Sequence, residues 1–120
     1  MRVLVVDDEE EVAELLAIVI RGEGNEAHVA LSGAEALRVL ESTTFDGVFL
    51  DLKMPDMGGL EVLSRLRELH PGVPVVVLSG HADEQHIREA EALGAVDVVH
   101  KPAQLNALVD AVARLRSRES

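Results

Sequence analysis

Five short valine-rich apolar runs constrain this chain more than any other feature: Arg2 to Val6, Ala27 to Leu31, Gly47 to Leu50, Val73 to Leu78 and Val96 to Val99. Three of them are apolar without alternation, so the strands they predict must be covered on both faces. Strands of that kind belong to a parallel sheet with helices on each side. Between the runs lie segments whose apolar residues recur at helical spacing, which sets a βα pattern repeated five times. The predicted fold class is α/β, a doubly wound five-stranded parallel sheet. At 120 residues, 48% of them hydrophobic, the chain can bury a core as a single domain over 1–120.

The helical segments have readable limits. Val12, Leu15, Leu16 and Val19 fall at i, i+3, i+4 and i+7 and predict a first helix ended by Gly22 and Gly24. Ser32 with Glu35 has the spacing of a capping box, opening a second helix ahead of Leu37 and Leu40. Gly59 to Leu69 reads as the third, stopped by His70-Pro71-Gly72, because a residue before proline avoids helical geometry. Asp83 to Leu93 predicts the fourth, with Gly94 as a left-handed stop, and Leu105, Leu108, Val109, Val112 and Leu115 stripe the fifth.

Charge and composition exclude several classes. A net charge of −11, with only 11 Lys and Arg, repels nucleic-acid phosphates. The absence of cysteine rules out disulfides and thiolate metal sites, and no signal-like run opens the chain. No apolar run approaches the roughly 20 residues that a membrane-spanning helix needs. These features predict a cytoplasmic domain that neither crosses a bilayer nor binds nucleic acid directly. Arg114, Arg116 and Arg118 read as a solvated helix end, where a linker would begin if the domain were the N-terminal part of a larger regulator.

The chemistry lies where polar residues meet strand ends. Asp7 and Asp8 follow the first run, Asp51 the third, Ser79 the fourth and Lys101 the fifth. In a parallel sheet all these carboxyl ends share one edge, and ligands bind there where strand order reverses. Three carboxylates in one cleft either raise a pKa or recruit a cation, and hard oxygen ligands favour Mg²⁺. Lys101 then serves as a fixed positive charge facing phosphoryl oxygens, and the Ser79 hydroxyl as a donor to another of them. Taken singly, several of these residues have plainer readings. Asp8 ahead of Glu9, Glu10 and Glu11 could cap a helix, Ser79 could be a turn serine and Lys101 a solvated lysine. Pro102 could start a helix or follow a cis bond. Asp51 is harder to dismiss, because an acid between Leu50 and Leu52 at the edge of a buried strand is desolvated for no structural gain.

Four stretches carry a family resemblance: Val5-Val6-Asp7-Asp8-Glu9, then Asp51-Leu52-Lys53-Met54-Pro55-Asp56-Met57-Gly58-Gly59-Leu60-Glu61, then Val77-Leu78-Ser79-Gly80, and Gly94-Ala95 with Lys101-Pro102. Together they resemble the receiver domain of two-component response regulators, from Arg2 through Leu115. The resemblance implies the flavodoxin-like strand order 2-1-3-4-5 and a cis bond before Pro102. It implies Asp51 as phosphoacceptor, with Mg²⁺ held by Asp8, Asp51 and the backbone carbonyl of Lys53, and Asp7 acting through water. Ser79, Gly80 and Lys101 become the phosphoryl-binding and switch residues. The donor becomes a sensor histidine kinase or phosphotransfer protein. An output domain or partner protein reads the face made by helix 4, strand 5 and helix 5, with room for a phosphorylation-dependent homodimer. The only catalysis implied is acceptance of the phosphoryl group and its self-hydrolysis. Lys53 and His81 occupy positions that influence that hydrolysis in similar proteins.

One feature departs from the family pattern. Val98 stands three residues before Lys101, where many receivers carry Tyr or Phe, and the only aromatics are Phe45 and Phe49, both expected in the core. Output must then rely on loop and helix movement. The competing readings are a Mg²⁺-dependent aspartyl-phosphate hydrolase, for which no cap domain is present, and a flavodoxin-like module for a small ligand or flavin. The latter lacks a glycine-rich phosphate loop after the first run. A degenerate receiver that switches without phosphate ranks low, because every acceptor-site residue is in place.

Overall fold

A computed structural model describes residues 1–80 and 84–118. In chain order the elements are β1 (Arg2–Val6), α1 (Glu10–Gly22), β2 (Glu26–Ala30), α2 (Gly33–Ser42), β3 (Gly47–Asp51), α3 (Gly59–Leu69), β4 (Val75–Ser79), α4 (Glu84–Ala92), β5 (Ala95–His100) and α5 (Leu105–Ser117). The strands pair in parallel as one sheet in the order β2-β1-β3-β4-β5. This is the doubly wound, flavodoxin-like arrangement. The three runs without alternation are its central strands: β3 and β4 are buried throughout, and β1 everywhere except Arg2. The edge strands β2 and β5 are only partly covered.

Successive side chains on each strand point to opposite faces and feed two cores. Leu4, Val6, Val48, Leu50, Val75 and Val77 meet α2, α3 and Ala90 of α4 on one side. Val3, Val5, Phe49, Val76 and Leu78 meet α1 and α5 on the other.

Strand limits differ from the sequence reading in ways that matter for the site. β4 begins at Val75 rather than Val73, because Pro74 has no N–H to give and the Val73 N–H turns back to His70 O at 3.3 Å. β3 and β4 each run one residue further, so Asp51 and Ser79 are the last residues of central strands rather than loop residues. The predicted start of the fourth helix at Asp83 lies outside the described residues.

Of the stripe expected on the first helix, Leu16 and Val19 are buried as predicted, whereas Val12 is only partly buried and Leu15 turns outward. The sheet-facing residues of α1 are Ala13, Leu16, Ala17 and Ile20, with Val19 beside them, and Leu15 is 42% exposed. Likewise α5 packs through Leu108, Ala111, Val112 and Leu115 and leaves Leu105 58% exposed. The Ser32 hydroxyl accepts the Glu35 N–H at 3.1 Å, as the capping pattern requires, but Glu35 answers the N–H of Leu31 at 3.3 Å instead of that of the cap. Phe49 is fully buried, while Phe45 is only partly so, edge-on to His28.

Arg67, near the end of α3, ties three segments together. Its Nε donates to Leu93 O at 2.7 Å, Nη1 to Val73 O at 2.6 Å and Pro71 O at 3.3 Å, and Nη2 to Gly94 O at 3.2 Å. Burial lowers its pKa, and the fork satisfies carbonyls at the end of α4 that have no partner within the helix. Gly94 has φ +93, the left-handed stop expected there. At the chain's end Arg114 pairs with Asp97 at 2.6 Å and Arg116 donates to Glu23 O at 2.9 Å. Among the described residues no helix is long and apolar enough to cross a membrane.

Candidate functional site

Three strand ends place the acids and the lysine together. The Asp7 N–H continues the pairing of β1 with β2 by donating to Ala30 O at 3.1 Å, and its fully buried side chain uses Oδ1 to accept the Glu9 N–H at 2.9 Å. Asp51, 4% exposed, accepts the Lys53 N–H on Oδ1 at 3.1 Å, which fixes the carboxylate's rotation. The Lys101 N–H donates to Ser79 O at 2.7 Å, and the Lys101-Pro102 bond is cis. From that anchor the Lys101 ammonium reaches Glu9 Oε1 at 2.7 Å, Asp7 Oδ2 at 2.8 Å and Asp51 Oδ2 at 3.2 Å.

Carboxylate oxygens of Asp7, Asp8 and Asp51 lie within 4.8 Å of one another. Asp8 is exposed and does not cap α1, whose N-cap is Glu9 without a side-chain cap bond; the side chain that turns the backbone there is Asp7. Burial pushes the Asp51 carboxyl up to about 6; the Lys53 N–H opposes this, the Asp7 charge adds to it and Lys101 offsets part of it. Burial acts to lower the pKa of Lys101, but its contacts with Asp7 and Glu9 and the Asp51 charge outweigh burial and raise it.

This donor set fits a hard divalent cation. Three clustered carboxylates face one ammonium, which leaves negative charge in excess. The ammonium meets Asp7 Oδ2 as a charge contact without hydrogen-bond geometry, so among the described residues that buried oxygen has no hydrogen-bond donor. A buried oxygen in that position is a natural acceptor for metal-bound water.

The other predicted residues are placed differently. Ser79 is buried, and its hydroxyl donates to the Gly80 carbonyl at 3.1 Å rather than to the acids. The Lys53 side chain is exposed, whereas its N–H faces Asp51. His81 lies outside the described residues. Val98 is partly buried against the core shared with α2, α3 and α4.

Three contributors escaped the sequence reading. Glu9, taken as part of a helix start, holds Lys101. The Asp56 carboxylate reaches the N–H groups of Gly33 and Ala34 on α2. Gly59 passes so close to the acceptor that a Cβ there would collide with the Asp51 carbonyl oxygen and sit 2.6 Å from Leu52 Cα. All three stand in the stretches that carry the family resemblance, Glu9 in the first and Asp56 and Gly59 in the second, but nothing in those stretches named the contacts they make.

Residues 3–113 match the response regulator receiver domain family. A response regulator receiver protein of an Anaeromyxobacter species is 36% identical over 91% of this chain and 46% of its own length. The DNA-binding response regulator MtrA of Mycolicibacterium smegmatis is 42% identical over 98% of this chain and 52% of its own. The chain thus spans about half the length of these curated relatives. Among solved structures, a CheY-like receiver domain protein from Methanospirillum hungatei superposes with a TM-score of 0.90 at 28% identity, covering 98% of this chain and 95% of that one. The receiver domain of NtrX from Brucella abortus gives 0.87 at 32% identity, covering 96% and 98%. With the strand order, the edge cluster and these matches in agreement, the chain belongs to the response regulator receiver domain family.

Proposed function

We propose that the chain is a signalling module that takes a phosphoryl group onto Asp51 from the phosphohistidine of a sensor histidine kinase or phosphotransfer protein. The observation that carries this reading is the Asp51 carboxylate itself, nearly buried at the tip of a central strand and 3.2 Å from the Lys101 ammonium. The Lys53 N–H holds Oδ1, so Oδ2 is the oxygen left to attack phosphorus in line. The new O–P bond forms as the P–N bond breaks, and the imidazole leaves with that electron pair. Lys101 then exchanges the carboxylate for a phosphoryl oxygen and stabilises its charge. Asp8, Asp51 and the Lys53 carbonyl would hold Mg²⁺, with Asp7 acting through water, and the bound ion supplies positive charge against the phosphoryl oxygens.

Ser79 completes the switch by turning its hydroxyl from the Gly80 carbonyl to the new oxygens and drawing the following loop with it. The neighbouring α4 buries a single side chain, Ala90, and is therefore cheaply displaced. An output domain or partner reads the α4-β5-α5 face. Lys53 and His81 tune the lifetime of the acyl phosphate.

Incubation with acetyl phosphate and Mg²⁺, followed by intact-mass measurement, tests the reading. One phosphoryl adduct on the parent and none on Asp51→Asn is the expected result. No adduct on either, or the same adduct on both, overturns it.

A further inference from the structure

The loop between β3 and α3 is firmly held at its base. The Leu52 N–H donates to Leu78 O at 3.1 Å, and the Gly59 N–H closes the loop onto Leu52 O at 3.0 Å. Between these ends the chain leaves the sheet, and Lys53 lies on the outgoing limb. Further along, Asp56 places Oδ1 3.5 Å from the Gly33 N–H and Oδ2 3.4 Å from the Ala34 N–H, one oxygen on each of the first two donors of α2.

Those donors have no acceptor within their own helix. The third donor, Glu35 N–H, is met by the hydroxyl of Ser32, the residue just before α2, so the first turn carries an internal cap from its own N-cap residue and an external one from Asp56. Each Asp56 bond is long, and attraction between the carboxylate and the positive end of α2 adds to both. Although partial desolvation acts to raise it, the Asp56 carboxyl is held below the usual range by the Ala34 and Gly33 N–H groups. The adjacent Met57 packs against bare backbone, since a Cβ on Gly33 would lie 2.8 Å from Met57 Cβ. Charge and shape therefore dock the same loop onto the same helix end.

We propose that Asp56 is a positioning residue that sets the metal affinity of the site by fastening the β3-α3 loop to the first turn of α2. This rests on the reading above that the Lys53 carbonyl ligates Mg²⁺. A side-chain ligand can rotate into place, but a backbone carbonyl is presented only as well as its loop is held. Releasing Asp56 leaves all three acids intact and loosens the one ligand that cannot adjust by itself.

The test is titration of the full chain with Mg²⁺ alone, followed by backbone amide shifts in NMR, with melting temperatures measured in parallel. Asp56→Ala and Asp56→Asn are expected to weaken Mg²⁺ binding by about 10-fold, the lower end of the usual effect of a residue supporting a metal ligand. Gly33→Ala is expected to weaken it similarly with Asp56 still present, because the added methyl displaces Met57. Ser32→Ala removes the internal cap of the same turn and should lower the melting temperature while leaving Mg²⁺ affinity within about twofold. Unchanged affinity in the Asp56 and Gly33 variants overturns the proposal. So does an equal loss in Ser32→Ala, which would assign the effect to helix stability. A parent chain that shows no Mg²⁺ response removes the underlying metal reading, a result distinct from either.

Discussion

Asp51 keeps its proton up to about pH 6 in the folded, metal-free chain, whereas in the unfolded chain it titrates near 3.8. Between those values the native state binds more protons than the unfolded state, so this group's contribution to stability falls as pH rises through that window. Above it, a buried carboxylate is a net cost. Asp51→Asn, with chelator present, should melt higher than the parent at about pH 7.5, and the gap should narrow as pH drops through 6 toward 4. A gap independent of pH would refute the assignment. At this scale the sequence disclosed the meeting of Asp7, Asp8, Asp51 and Lys101, because parallel strand ends share an edge whatever the details of packing. It did not disclose the hold of Glu9 on Lys101 or of Asp56 on α2. Acidic residues near a helix start read equally well as partners of the helix dipole, and only tertiary packing chooses which charge they meet.

Among the helices, α4 depends most on a single side chain. It buries only Ala90, and the two carbonyls that follow it, those of Leu93 and Gly94, are held by Arg67 from α3. Arg67→Ala strands the part-buried carbonyls of Leu93 and Val73 and gives those of Pro71 and Gly94 back to water, and should destabilise the fold by about 2–4 kcal/mol, read as a lower denaturant midpoint. Amide exchange should quicken first in α4 and the start of β5. Arg67→Lys should restore little, since one ammonium cannot span the fork. An unchanged midpoint in the alanine variant would count against the clamp. Element types and order were legible from periodicity, but the buried face of α1 only in half, through Leu16 and Val19. Leu15 outweighs Ala13 and Ala17 on any hydrophobicity scale, yet the sheet-facing side of α1 seats those two alanines beside Leu16 and Ile20, and Leu15 and Ile18 turn outward.

For the molecule as a whole, Phe49 is the largest fully buried side chain and stands in the core beneath α1 and α5. Phe49→Ala should cost about 3–5 kcal/mol by leaving a cavity there, measured by denaturant unfolding. A loss below about 1 kcal/mol would mean that the two helices collapse into the space. The strand order could not be read from five similar βα units, which admit several windings; it came from family likeness. That order has its own consequence. Lys101 emerges from β5, at the rim of the sheet, and stretches past β4 to acids on β3 and β1. Without β5 the sheet would therefore carry two buried acids with no neutralising ammonium. The charge balance of the cluster is thus closed only when β5 has docked against β4, so the rim strand rather than the centre of the sheet makes two buried acids tolerable.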